Sequence, residues 1–261
     1  MLETEASNNP YIITICSGKG GVGKSIITAN LGFMLASRGM KVLIWDADLL
    51  FPNQHLLLGV EPPTRLQDVF NSKISIERAI FPLNENLSLL AGTPAQFNAE
   101  NSQSVDLIKM LAEIIVNTEY DFIIIDTSAG ASYEVLQCCS ASNLSSVVVT
   151  DEPTSLLDGY ALIKIIKNYV DINKVTLLVN NVIDFEDAND ISNKMNLATS
   201  KFLNCELIPL SYIPYNRIVR QSIIRQELFV KTEPNEDVSK AMKNLSDKII
   251  KMALIIEKSF N

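Results

Sequence analysis

The sequence predicts an α/β fold: a single domain built on a mostly parallel, twisted sheet with helices on both faces. Three observations predict it. Short apolar runs rich in β-branched residues alternate with amphipathic stretches at intervals of about 20–40 residues, the rhythm of repeated strand–helix units. A glycine-rich loop separates the first run from the first amphipathic stretch. Several later runs close on aspartate or asparagine, which sets polar groups at strand ends, where open α/β sheets bind ligands. A chain of 261 residues can bury one large core. Residues 11–261 are therefore expected to form one domain behind a short N-terminal segment, 1–10.

Composition narrows the classes. No Pro/Gly/Ser-rich linker, low-complexity tract or internal repeat interrupts the pattern. The first ten residues are polar and acidic, unlike a signal or transit peptide, and no apolar stretch reaches the length of a membrane span. The four cysteines, Cys16, Cys138, Cys139 and Cys205, show no C-x-x-C spacing, which fits a reduced cytoplasmic setting and gives an iron–sulfur carrier no cluster ligands. The one histidine, His55, is expected at the surface or in helix packing. A net charge of −8 argues against non-specific DNA binding by the whole surface.

The first strand is Tyr11–Cys16 and the first helix Ile26–Arg38, ending at Gly39. Between them Gly18-Lys-Gly-Gly-Val-Gly-Lys-Ser25 fits the phosphate-loop pattern G-x-x-x-x-G-K-[ST]. Glycines let the backbone curl around a polyphosphate so that successive N–H groups point at the anion, and the following helix adds its positive dipole end. Gly18, Gly20, Gly21, Val22, Gly23, Lys24, Ser25 and Ile26 are thus the expected nucleotide-binding set. Lys24 would neutralise the β- and γ-phosphates, and the Ser25 hydroxyl would ligate Mg²⁺. The fold class sharpens to a single-domain P-loop NTPase.

A second strand, Lys41–Trp45, leads to Asp46 and Asp48, and a third, Phe122–Ile125, closes on Asp126. An apolar run ending in aspartate is the arrangement that sets a carboxylate beside Mg²⁺. Asp46 and Asp48 are aimed at the same end of the sheet, with a strand-end Asx turn as the competing reading. The strands Ser146–Thr150 and Val175–Val179 follow, the latter ending in Asn180-Asn181.

Lys19 is an additional lysine that an ordinary phosphate loop lacks. Lys-Gly-Gly-Val-Gly-Lys-Ser resembles the deviant loop of the MinD/ParA class of ATPases. Glu152-Pro153-Thr154-Ser155, Asp158 with Tyr160–Lys164, Ser211–Asn216, and Asp126-Thr127 with Ala129-Gly130 resemble the flagellar-number regulators of the FlhG group. The similarity runs from about Ile12 to about Leu245. It implies that Lys19 reaches across a dimer interface to the partner's nucleotide, a solvated loop lysine being the bland alternative. It also implies that Asp46 lies near the Mg²⁺ water shell and that Asp48 orients the attacking water. Asn180 would meet adenine, whose edge suits an amide's paired donor and acceptor, and Pro214 and Tyr215 would form the other wall. Asn180 capping its strand is the structural alternative.

The implied protein is a slow ATPase, ATP to ADP and phosphate, that dimerises with Mg-ATP and controls flagellar number or placement. A MinD-type division-site role or a ParA-type cargo or DNA role would share every nucleotide motif. Implied partners are an FlhF-like GTPase, a flagellar switch or C-ring protein, or a flagellar transcription regulator. The roughly ten residues before the first strand lack the glutamine-containing basic motif that stimulates such a GTPase. Leu49-Leu50-Phe51-Pro52-Asn53 lacks the family's usual glycine, which should stiffen the segment, and Ser128 stands where a glycine is common.

Two regions depart from the general acidity. Residues 208–231 carry Arg217, Arg220, Arg225 and Lys231 against Glu227, a solvated helix face or a nucleoid contact. From Lys240 onward five lysines face two acids, and Ile249, Met252, Ala253, Ile256 and Phe260 share a helical face. Residues 249–261 could bring the protein to the inner face of the cell membrane, while Val238, Met242, Leu245, Ile249 and Met252 make an equally regular core stripe.

Overall fold

The computed structural model describes residues 9–71, 73–93 and 106–260. The first half of the chain forms β1 (Tyr11–Ser17), α1 (Lys24–Ala36), β2 (Val42–Ala47), α2 (Gln54–Leu57), α3 (Leu66–Phe70), α4 (Ile76–Ala79), β3 (Ile80–Pro82), β4 (Leu87–Leu90) and α5 (Leu107–Asn117). The second half forms β5 (Phe122–Ala129), α6 (Tyr133–Ala141), β6 (Leu144–Val149), α7 (Pro153–Ile166), β7 (Val175–Val182) and α8 (Phe185–Leu203). The chain closes with β8 (Ile208–Pro214), α9 (Arg217–Arg225), α10 (Phe229–Thr232) and α11 (Asp237–Phe260).

Among the described residues the strands make one sheet in the order β3-β4-β2-β5-β1-β6-β7-β8, and only β3, against β4, runs antiparallel. A sheet covered on both faces makes both sides of each strand apolar, which is why the strands read as continuous hydrophobic runs. Alternate residues serve opposite layers. Ile13, Ile15, Ile44 and Ile124 pack with α1 and α11, while Leu43, Trp45, Ile123 and Ile125 pack with Leu111 and Ile114 of α5. Beyond β1, Val147, Val149, Leu177 and Val179 meet α7 and α8.

From β1 the chain turns toward β2 on one side, and from β5 it crosses β1 to reach β6 on the other. The carboxyl end of β1 therefore lies where the direction of winding reverses, the place where open sheets leave a crevice.

The expected strands are present, with longer ends than their apolar runs suggested. β2 continues through Asp46 and Ala47, β5 through Asp126 to Ala129, and β7 through Asn180 and Asn181 to Val182. Asp46 and Asp126 are direct partners in the β2–β5 register. A ladder is set by backbone partners, so polar residues prolong a strand wherever its neighbour also continues. α1 begins two residues earlier than expected because Gly23, in the left-handed region at φ 97°, caps it directly at Lys24.

In α11, Val238, Met242, Leu245, Ile249 and Ala253 are buried, while Leu254 and Ile255 are exposed. The stretch read as membrane-seeking therefore begins inside the core, and the side chains of Ile256 and Phe260 lie outside the described residues. Among the described residues no helix is long and apolar enough to cross a membrane. His55 is buried on α2, the packing role expected of it.

Candidate nucleotide site

The expected site residues gather at the carboxyl ends of the strands. The loop leaves β1 with Gly18 wedged against α7: a Cβ there would stand 2.1 Å from the Asp158 carbonyl oxygen. This contact explains Asp158-Gly159 in the sequence, since Gly159 in turn lies so close to Val149 that a Cβ would meet its side chain at 2.7 Å. At the other end of the loop a Cβ on Gly23 would stand 2.3 Å from the Asn180 side-chain nitrogen. That nitrogen donates to the Val22 carbonyl at 2.7 Å. Asn180 thus braces the loop backbone from β7.

Lys24 is buried, and its ammonium donates to the Ser17 hydroxyl at 3.0 Å, which itself donates to the Lys19 carbonyl at 2.7 Å. The cation is held along the inside of the loop. Lys19 lies outside it. Its ammonium pairs with the Glu152 carboxylate and donates to the Thr154 hydroxyl at 2.8 Å, at the start of α7. The Lys19 side chain is 34 % exposed and that of Glu152 60 %, so the pair is worth about 1 kcal/mol at most. A cation at a helix N-terminus also opposes the helix dipole, which weakens the arrangement further.

The acids occupy a different environment. Asp46 is fully buried; its Oδ2 accepts the backbone N–H groups of Asn53 and Gln54 at 2.8 and 2.9 Å, and its Oδ1 that of Asp48 at 3.3 Å. Burial, and then the charge of neighbouring Asp126, pushes its carboxyl well above the usual range. Burial likewise raises Asp126 to about 6, against the lowering effects of hydrogen bonds from Gln54 and Ser25 and of the Lys24 charge. Asp48 is only partly buried, and its Oδ1 accepts from Leu50 and Phe51 at 3.2 and 3.0 Å, the Asx-type turn named as an alternative.

Sequence reasoning passed over Gln54. This buried side chain donates to Asp126 Oδ2 at 2.8 Å and to the Ser25 carbonyl at 3.0 Å. Its only signal was a polar pair, Asn53-Gln54, set in an apolar neighbourhood. Three buried side-chain acceptors are left without partners here, Asn53 Oδ1, Gln54 Oε1 and Asp126 Oδ1. Hard oxygen acceptors beside the Ser25 hydroxyl and two acids fit a magnesium ion, which takes one or two carboxylates and completes its shell with phosphate and water. Ser25, Asp46 and Asp126 would hold it. Among the described residues no three His, Cys, Asp or Glu side chains form a metal cage.

Two adjoining clefts, both bordered by Ile26 and Ile223, flank the loop. One, of about 760 Å³, is lined by Gly20, Gly23, Lys24, Ser25, Asp48 and Phe51. The other, of about 680 Å³, is lined by Asn180, Ile213, Pro214, Tyr215 and Arg217. Arg217, Arg220 and Arg225 stand exposed on or beside the rim.

The comparisons agree with this geometry. A family model described as ParA: NUBPL iron-transfer P-loop NTPase matches residues 8–250. The antiactivator FleN of Pseudomonas aeruginosa is 30% identical over 241 residues, 91% of this chain and 85% of that protein. The flagellum site-determining protein YlxH of Helicobacter pylori is 25% identical over 244 residues, 93% and 82% of the two chains. Among solved structures, the cell division ATPase MinD of Pyrococcus furiosus superposes with a TM-score of 0.78 at 26% identity, covering 93% of this chain and 99% of its own. MinD of Pyrococcus horikoshii, complexed with Mg-ADP, gives the same score and identity over 94% and 98%. A phosphate loop at the sheet's winding reversal, two paired acids beside it and a match over nearly the whole chain have one reading: this protein belongs to the ParA/MinD family of P-loop NTPases.

Proposed function

We propose that this chain is an ATP-driven molecular switch that regulates flagellar number or placement. ATP would lie along the two clefts, with its phosphates in the loop and its base between Asn180 and the Pro214-Tyr215 wall. Magnesium supplies charge neutralisation at the phosphates when bound, through Ser25, Asp46 and Asp126. Lys24 neutralises the same phosphates from within the chain. Asp48, freed from its local turn, orients the attacking water. Phosphoryl transfer depends on positioning and charge, so turnover is slow until a second copy completes the site.

The observation that carries this reading is the separation of the two loop lysines. Lys24 serves its own loop, whereas Lys19 stands outside on a weak, half-exposed contact from which it can be redirected. Leu50 and Phe51, 58 % and 78 % exposed, form an apolar rim beside the phosphate cleft that a second copy could cover. The likeness to FleN and YlxH supports the flagellar output, with a flagellar transcription regulator, an FlhF-like GTPase or a C-ring protein as partner. A ParA-type positioning role is favoured instead by the exposed arginines of α9, and ATP-dependent DNA retention would select it.

Solution mass by light scattering, with ADP and with Mg-ATP, tests the switch. Wild type and Asp48→Ala should dimerise with Mg-ATP, the variant without turning over, while Lys19→Ala stays monomeric. Three proteins whose mass ignores the nucleotide would sink the dimer switch.

A further inference from the structure

We propose that Gln54 is a positioning residue of the magnesium–phosphate site, holding the two metal-facing acids apart and offering its own side-chain oxygen to the hydrated ion. The assignment rests on the nucleotide reading above. Asp46 and Asp126 are register partners on adjacent parallel strands, so two buried carboxylates stand side by side. Like charges so placed repel, and each needs donors to remain ionised without water.

Gln54 supplies donors to both. Its main-chain N–H reaches Asp46 Oδ2 at 2.9 Å, and its side-chain nitrogen reaches Asp126 Oδ2 at 2.8 Å. The same nitrogen binds the Ser25 carbonyl at 3.0 Å, which fixes the amide against the first turn of α1. One residue therefore ties the β2 acid, the β5 acid and the metal-binding serine into one unit. Its nitrogen is committed to those two acceptors, and its oxygen is left over. That oxygen and Asp126 Oδ1 are both buried acceptors without a donor, and a hydrated divalent cation is rich in polarised O–H donors. Gln54 also opens α2, three residues after the exposed Phe51.

The test compares the Kd of a fluorescent ADP analogue in magnesium and in EDTA, for wild type and Gln54→Met on the full chain. Methionine keeps the length and volume of the side chain and the backbone donor to Asp46, and removes only the amide. Wild type should bind more tightly in magnesium. In Gln54→Met that magnesium enhancement should fall about tenfold, as for other outer-shell partners of a metal, with affinity in EDTA held within about twofold. An unchanged enhancement overturns the assignment, and so does an equal loss in both buffers, which would make Gln54 packing support alone. If Gln54→Met does not fold, Gln54→Leu carries the same comparison: it removes the amide without adding charge, and an unaltered enhancement again overturns the assignment. Wild type that binds no ADP, or gains nothing from magnesium, overturns the nucleotide reading itself.

Discussion

The two sides of the phosphate loop are built on opposite principles. On the inner side Lys24, Asp46, Gln54 and Asp126 are buried; Gln54 bonds to both acids, and the Lys24 ammonium is held by the Ser17 hydroxyl. On the outer side Glu152, Leu50 and Phe51 are exposed and Lys19 is one-third exposed, held by one surface ion pair, a hydrogen bond to Thr154 and an Asx turn. Buried charges are strongly coupled to the fold, because each group deprived of its partner is left without water. Exposed charges exchange partners at small cost. The chemical groups of the site are therefore tightly held, while the contacts of its rim are weak and easily exchanged.

The sharpest way to break the inner side is Lys24→Ala. Removing a charged partner from the polyphosphate should weaken nucleotide binding by about 100-fold, measured by fluorescence titration, with the fold intact by circular dichroism. Next comes Gly18→Ala, whose new methyl would press on the Asp158 carbonyl. A clash with backbone cannot be relieved by a rotamer change, so a loss of about 2–3 kcal/mol in urea unfolding is expected.

Asp126→Asn should move stability in the opposite sense. A carboxyl near 6 in the folded chain, against an ordinary 3.8, binds its proton more tightly when folded. That contribution is complete below about pH 4 and is lost as pH rises through 6, so the ionised group costs about 3 kcal/mol at pH 8. The nucleotide-free variant should accordingly melt higher than wild type at pH 8 and nearly alike at pH 4, while losing its response to magnesium. Equal melting temperatures at pH 8 would contradict the burial argument.

The smallest effect belongs to the rim. Glu152→Ala releases Lys19 from a pair worth less than about 1 kcal/mol, so dimerisation should occur at a Mg-ATP concentration lower by about two- to fivefold, with thermal stability unchanged. A large fall in melting temperature would mean that the rim is as tightly coupled as the interior, and the contrast would dissolve.

Much of this was legible without coordinates. The loop declares itself because Gly21 and Gly23 hold left-handed backbone, Gly18 and Gly23 leave no room for a Cβ, and the G-K-[ST] spacing brings Lys24 and Ser25 together. The parallel sheet declares itself because strands covered on both faces must be apolar on both. The basic stretch of α9 proved to be exposed, in keeping with a solvated helix face. Less legible were the ends of β2, β5 and β7, where polar residues continue the ladder because their neighbours do.

By itself, then, the sequence determined the fold class, the loop, and the candidate acids Asp46, Asp48 and Asp126, all of them consequences of local spacing and periodicity. The tertiary structure alone decided which groups touch. It set Asn180 beneath Val22, 158 residues away in the chain, and Glu152 against Lys19, 133 residues away. It bound Gln54 to Asp126 across 72 residues. It also turned Ile249 and Ala253 of α11 into core rather than leaving them on a free face. The physical reason is the same each time. A side chain's pattern fixes which element it belongs to, but its partner is fixed only when strands distant in sequence become neighbours in the sheet.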